Sequence, residues 1–120
     1  MPQSLSNVVV HLVFSTKHRD PALTDPNRAE LFPYMTAVLR NDGCNVIQIN
    51  GVADHVHILF AQFRTECMSD LVKALKGSTS GWIKDRQQRR SDFAWQAGYG
   101  VFSVGRTERE REIRYIQKPG

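Results

Sequence analysis

The pattern of apolar and polar positions divides the chain into seven elements. Short apolar or alternating runs, typical of β-strands, occupy residues 7–15, 44–50, 52–63 and 101–104. Residues 7–15 are apolar on both faces, which indicates a central strand that is covered on each side. Asn50 and Gly51 stand between the second and third runs, and this pair predicts a tight hairpin turn.

Three segments between or after these runs have apolar residues at helical spacing. The first begins at Thr24 or Asp25 and runs to about residue 41, and the second begins after a cap at Ser69. Thr107 and Glu110 form a capping box for a third helix over about 107–117. This last helix is mostly charged, and its aliphatic contacts with a core are limited to Ile113 and Ile116.

The element order is strand, helix, strand, strand, helix, strand, helix. It predicts an α+β fold of the ferredoxin-like (split βαβ) type, in one domain over residues 1–120. We expect an antiparallel sheet whose first and third strands are parallel central neighbours, with the first two helices on one face. The C-terminal helix, which carries Tyr115, is expected to cover the other face. Both faces of the third strand are apolar, so its orientation stays open.

The third strand contains the candidate chemistry. Successive strand residues point to opposite faces, so His55 and His57 project from the same side. Two neutral imidazoles on a rigid strand can clamp a divalent metal ion, although the same spacing also occurs in ordinary packing. His11, in the first strand, is interpreted as a hydrogen-bonded core histidine, and Tyr34 as a packing residue.

Composition gives the net charge of the chain and an expectation for its cellular compartment. Sixteen Lys and Arg against twelve Asp and Glu give a net charge of +4 and a pI near 9.4, which favours a polyanionic partner. No apolar run reaches the roughly 20 residues of a membrane span, and the N-terminus lacks a signal-peptide pattern, so a cytoplasmic protein without membrane contact is expected. Cys44 and Cys67 are not in metal-ligand spacing and are expected to be reduced thiols.

Basic residues and aromatics provide candidate contacts for such a partner. The loop at 16–21 and the run at 86–90 are basic, and each is either a solvated surface or a phosphate contact. Trp95 and Tyr99 are suited to stacking on unpaired bases or to packing, and packing is the more common use. The candidate DNA contacts are Lys17, Arg19, Lys76 and Arg86.

Four blocks in order resemble one known family over nearly the whole chain. They are residues 11–19 (HLVFSTKHR), 54–59 (DHVHIL), 75–80 (LKGSTS) and 93–104 (FAWQAGYGVFSV), followed by Arg114-Tyr115-Ile116. The chain resembles the single-tyrosine HUH transposases of small bacterial insertion sequences, the IS200-like type.

The resemblance implies that His55 and His57 bind Mg²⁺ or Mn²⁺ and that Tyr115 is the nucleophile. The expected activity is cutting and rejoining of single-stranded DNA at insertion-sequence ends through a 5′-phosphotyrosine intermediate. The expected partners are single-stranded DNA with a hairpin near the element ends and a second copy of the chain, whose tyrosine helix acts in trans.

One position departs from the family pattern. The family has a glutamine one helical turn after the tyrosine as a third metal ligand, and Pro119 stands there in this chain. Gln117 becomes the candidate third ligand if the helix unwinds before Pro119, because two residues after Tyr115 it points to nearly the opposite side of a helix. Asp54, a water molecule or a partner chain are the other candidates for this position.

Two other functions remain open at this stage. A catalytically impaired or domesticated relative would bind hairpin DNA without cutting it. A ferredoxin-like RNA-binding module would stack bases on sheet aromatics, although no recognisable aromatic RNA-binding strand motif is present.

Overall fold

A computed structural model describes residues 8–62, 67–86 and 92–118 of the chain. Its elements are β1 (Val8–Ser15), α1 (Asp25–Asn41), β2 (Cys44–Val52), β3 (His55–Gln62), α2 (Met68–Arg86), β4 (Gly100–Ser103) and α3 (Arg109–Gln117). Within these ranges, no helix has both the length and the apolar character needed to cross a membrane. The predicted strand ends at Asn7 and Phe63, residues 87–90 of the basic run, and Pro119 lie outside the described residues.

The four strands form one antiparallel sheet in the order β2-β3-β1-β4. The predicted ferredoxin-like α+β fold is confirmed, with β1 and β3 at the centre. The predicted parallel pairing of β1 and β3 is wrong, because these strands pair antiparallel. The crossover through α1 sets β2 in the same direction as β1, and the following hairpin reverses β3.

The hairpin between β2 and β3 turns at Ala53 and Asp54, three residues later than predicted. Val52 pairs with His55 and Gly51 with Val56, so Asn50 and Gly51 belong to the strand. Gly51 is needed there for close approach, because a Cβ atom at this position would lie 2.5 Å from the carbonyl oxygen of His55.

The sheet buries side chains on both faces, as the two-sided pattern of β1 predicted. On one face, α1 and α2 cover a large core whose members include Leu12, Phe14, Leu31, Met35, Ile58, Phe60, Leu71 and Leu75. On the other face, Ile116 of α3 is fully buried against Val9, Leu59 and Ala61, with Ile113 beside it. His11, His55 and His57 have the strand parity of this second face, which settles the orientation that the sequence left open.

Two predicted helix caps are wrong. Helix α2 begins at Met68, and the Cys67 carbonyl accepts the first backbone hydrogen bonds, so Ser69 lies inside the helix. A 3₁₀ turn at Arg106–Glu108 precedes α3. There the Gly105 N–H donates to Glu108 Oε1 at 3.0 Å, which replaces the expected pair of Thr107 and Glu110.

The close approach at Gly51 gives a stability prediction. Gly51→Ala should lower the free energy of unfolding by about 1–3 kcal/mol, because the new methyl group must displace strand backbone. Gly81→Ala is the matched control, since a Cβ there meets nothing within 4 Å and α2 should gain about 0.5–1 kcal/mol. Urea unfolding measures both values, and a Gly51→Ala protein as stable as the parent would contradict the hairpin register.

Candidate active site

The fold brings the predicted nucleophile and the histidine pair together on the α3 face of the sheet. The ring centroids of His55 and His57 lie 5.0 Å apart. The Tyr115 ring centroid is 5.7 Å from that of His57, and 58% of the residue is exposed. A phenol held this close to the His57 imidazole, and still accessible, can meet a substrate from solution.

A cleft of about 430 Å³ opens next to these side chains. It lies between the ends of β1 and β3 and the segment that leads into β4. Its lining includes Arg19, His55, His57, Gln96, Tyr99 and Tyr115. A substrate in this cleft would contact both histidines and the phenol at once.

Asp54 holds His55 from the side of the hairpin turn. His55 Nδ1 lies 2.8 Å from Asp54 Oδ1, and Arg19 Nε donates to Asp54 Oδ2 at 3.1 Å. The hydrogen bond from His55, with a smaller contribution from Arg19, lowers the pKa of the Asp54 carboxyl below its usual range. An ionised carboxylate can only accept, so His55 donates from Nδ1, and in the neutral ring the lone pair is on Nε2.

His57 is held by a different residue, His11 on β1. Burial, followed by the nearby His11 and His55, lowers the pKa of His57 to about 4, so its ring is neutral at pH 7. His57 Nδ1 lies 2.9 Å from His11 Nε2, and His11 Nδ1 lies 2.7 Å from Glu112 Oε1 on α3.

The interpretation of His11 as a hydrogen-bonded core histidine is confirmed, but neither of its partners was predicted. Glu112 precedes Tyr115 by three residues and therefore shares its helix face. The three-residue spacing between Glu112 and Tyr115 was the sequence signal that could have identified Glu112 as a site residue, once α3 had been placed over the histidines.

The donor set fits a divalent cation that takes only part of its coordination from protein. Both rings use Nδ1 in hydrogen bonds, which leaves Nε2 of His55 and of His57 as the candidate ligand atoms. Within residues 8–62, 67–86 and 92–118, no group of three His, Cys, Asp or Glu side chains has metal-binding geometry. Mg²⁺ commonly completes its shell with water and substrate phosphate oxygens, which such a site would allow.

Gln117 does not line this cleft. Helix α3 continues through Gln117, whose side chain is exposed and whose carbonyl accepts from Asn50 Nδ2 at 3.3 Å. A ligand role for Gln117 stays a prediction that requires the helix end to unwind. Asp54, another candidate, uses its two carboxylate oxygens for His55 and Arg19.

The four predicted DNA contacts divide between the two faces of the molecule. Arg19 lines the cleft, and Lys17 is exposed in the same 3₁₀ turn, where His18 and Arg19 have left-handed backbone conformations. Arg86 lies at the end of α2, in the helix layer on the opposite sheet face, where it pairs with Glu30 and covers the Trp82 ring at 4.7 Å.

Lys76 holds the segment that forms one wall of the cleft. Its Nζ donates to the carbonyl oxygens of Gln96 at 2.8 Å and Gly98 at 2.6 Å, and it lies 5.6 Å from the Phe14 ring centroid. Desolvation lowers the pKa of this ammonium group. Lys76 therefore positions the wall of the cleft, whatever further contact it makes.

The aromatic residues separate into packing and exposed groups. Trp95 packs against Phe14 at a centroid distance of 4.7 Å, and its Nε1 donates to Thr79 Oγ1 at 3.0 Å. Tyr34 stacks on Trp82, which confirms its packing role. Tyr99 is 38% exposed and lines the cleft, where a base could stack on it.

Proteins that this chain resembles in sequence and in fold include transposases. The chain is 24% identical over 112 residues to the ISDra2 transposase TnpA of Deinococcus radiodurans, a match that covers 89% of this chain and 80% of that protein. The crystal structure of a candidate transposase from Deinococcus radiodurans R1 has a TM-score of 0.72 at 24% identity, covering 91% of this chain and 88% of that one.

A second solved structure is a REP-associated tyrosine transposase bound to a REP hairpin. It has a TM-score of 0.68 at 12% identity and covers 92% of this chain and 65% of that one. The family model for IS200-like transposases matches residues 4–119 of this sequence. The chain therefore belongs to the IS200-like transposase family.

Proposed function

We propose that this transposase cuts and rejoins single-stranded DNA at insertion-sequence ends through a 5′-phosphotyrosine intermediate, with the assistance of a divalent cation. The observation that carries the proposal is the Tyr115 phenol, exposed beside the neutral His57 ring at the edge of one cleft. Family membership indicates transposition, and this arrangement provides a candidate nucleophile and two candidate metal ligands.

Tyr115 Oη attacks the scissile phosphorus, the Oη–P bond forms, and the bond from phosphorus to the 3′ oxygen breaks. The phenol releases its proton, and the departing oxygen takes one up to become a 3′-hydroxyl. One phosphodiester bond replaces another, so the intermediate retains the bond energy for rejoining. Mg²⁺ or Mn²⁺ held by His55 and His57 would polarise the phosphate and stabilise the charge that develops on it.

The basic turn beside the cleft suits the DNA backbone. Lys17 and Arg19 are exposed there, and the whole chain carries a net charge of +4. We propose single-stranded DNA with a hairpin as the substrate, and the structural neighbour bound to a REP hairpin supports this choice. Arg86 lies on the opposite face of the sheet, so its contact with DNA stays a prediction.

Binding without cleavage is a second candidate function. It is favoured by the absence, among the described residues, of a three-member cluster of His, Cys, Asp or Glu, together with Pro119 at the family's glutamine position. A site with two protein ligands could bind a cation too weakly for catalysis.

Covalent capture of DNA tests the reaction and separates these two functions. With Mn²⁺ and single-stranded DNA that carries the element's own ends, the protein should form an adduct that survives a denaturing gel. Tyr115→Phe should abolish the adduct because it removes the nucleophile, and His57→Ala should reduce it at least tenfold because it removes a metal-ligand candidate.

Tyr34→Phe is the matched tyrosine control and should leave the adduct unchanged, since Tyr34 stacks on Trp82 in the opposite layer. Hairpin binding with no adduct in the parent protein would establish the binding-only function. Tighter binding to an RNA of the same sequence than to the DNA would instead support the RNA-binding module.

The salt dependence of DNA binding distinguishes the role of Lys17 from that of Lys76. Lys17→Ala should reduce the slope of log K against log salt concentration by about one, because a phosphate contact is lost. Lys76→Met should weaken binding with the slope unchanged, because this ammonium group already binds two carbonyl groups of the cleft wall. Fluorescence anisotropy at several salt concentrations measures both, and equal slope changes would contradict the distinction.

We propose, as the family resemblance implies, that two chains form a homodimer whose tyrosine helices act in trans. Mixing the Tyr115→Phe and His57→Ala proteins should then restore the adduct, because one composite site contains both His57 and Tyr115. If the mixture of the two variants forms no adduct, although each variant mixed with the parent protein does, each tyrosine acts with the histidines of its own chain.

A further inference from the structure

His11 is a buried histidine that joins α3 to the histidine pair. It is 5% exposed, and both of its ring nitrogens have a partner on a different element. Nε2 lies 2.9 Å from His57 Nδ1 on β3, and Nδ1 lies 2.7 Å from Glu112 Oε1 on α3. The two bonds form a continuous chain from Glu112 through His11 to His57.

The directions of these hydrogen bonds follow from the charge of Glu112, the residue at one end of the hydrogen-bonded chain. An ionised Glu112 carboxylate has no proton to donate, so His11 donates from Nδ1–H. A neutral His11 then has a lone pair on Nε2, which can only accept. His57 must therefore donate from Nδ1–H, and its own lone pair is on Nε2.

This assignment matters because an imidazole binds a metal only through an unprotonated nitrogen. The same result holds at His55, where the Asp54 carboxylate accepts from Nδ1 directly. The two rings thus receive matching tautomers from two carboxylates, one in direct contact and one through His11.

We propose that Glu112 and His11 are positioning residues that hold His57 in the Nδ1–H tautomer and so present its Nε2 to the divalent cation. The cation itself rests on the proposed function, whereas the tautomer is a property of the metal-free chain.

The contact between Glu112 and His11 also positions Tyr115, the proposed nucleophile. Glu112 and Tyr115 lie three residues apart on α3, and the Tyr115 ring centroid is 6.0 Å from that of His11. Docking of α3 therefore brings the phenol to the site and completes the hydrogen-bonded chain that orients His57. In a dimer with exchanged helices, Glu112 and Tyr115 would move together, so the coupling would be preserved.

The tautomers can be measured directly by long-range ¹H–¹⁵N correlation spectra of the metal-free protein at pH 8, where free imidazoles are neutral. His55 and His57 should both show a protonated Nδ1 and an unprotonated Nε2. The exposed side chain of His18 serves as the internal reference. A His57 ring protonated on Nε2 would overturn the proposal.

Two variants test whether the chain causes the tautomer. His11→Phe and Glu112→Ala should each move His57 toward the Nε2–H form, because His57 loses its acceptor or that acceptor loses its orientation. Glu110→Ala is the matched control, since it removes the same charge from the exposed part of the same helix. An unchanged His57 tautomer in both variants, with folding verified by circular dichroism, would show that His11 and Glu112 only pack.

Calorimetric titration with Mn²⁺ adds a second readout. The His11→Phe and Glu112→Ala proteins should bind 10–100-fold more weakly than the parent and the Glu110→Ala control. If the parent binds no Mn²⁺, the metal part of the proposed function fails, and the spectra still decide the role of His11. Unchanged affinity in both variants would overturn the positioning role.

Discussion

The antiparallel pairing of β1 with β3 is the constraint on which the site depends. Its register sets Val13 opposite His57 and Leu59 opposite His11, so the two histidines are diagonal neighbours on one face. Diagonal pairs on adjacent strands are close enough for ring contacts, and the His11–His57 hydrogen bond is of this kind. A slip of one residue would move one histidine to the face covered by α1 and α2 and separate the pair.

The second constraint is the small number of contacts that hold α3. Ile116 is fully buried and Ile113 packs beside it, while Glu110, Arg111 and Arg114 of this nine-residue helix are exposed. An element with so little apolar burial contributes little stability of its own and can detach without unfolding the sheet. The bond from Glu112 to His11 adds a specific polar contact to this docking, on the same helix face as Tyr115.

The element order and the apolar periodicity were enough to predict the fold, the central position of β3 and the docking of α3 through two isoleucines. The predicted parallel direction of β1 and β3 was wrong, although the element order contains the answer: the crossover through α1 leaves β2 in the direction of β1, and the hairpin reverses β3. The turn at Ala53 and Asp54 was missed because Asn50-Gly51 is a strong turn signal, whereas Gly51 serves strand packing here. Lys76 was grouped with exposed basic residues because its carbonyl acceptors, 20 and 22 residues away, meet it only in the folded chain.

The sequence predicted the two histidines and the tyrosine as site residues, but it did not predict the side chains that contact them. His55, His57 and Tyr115 stand in motifs, whereas His11 and Glu112 are 101 residues apart and become partners only through the sheet register and the rotation of α3. Their geometry also bears on the missing third ligand. With both Nδ1 atoms engaged, the two rings present two candidate ligand atoms in fixed directions, and the adjoining cleft leaves room for water or phosphate oxygens in the other coordination positions. On the proposed function, the site would thus become complete only when the DNA phosphate enters the cleft.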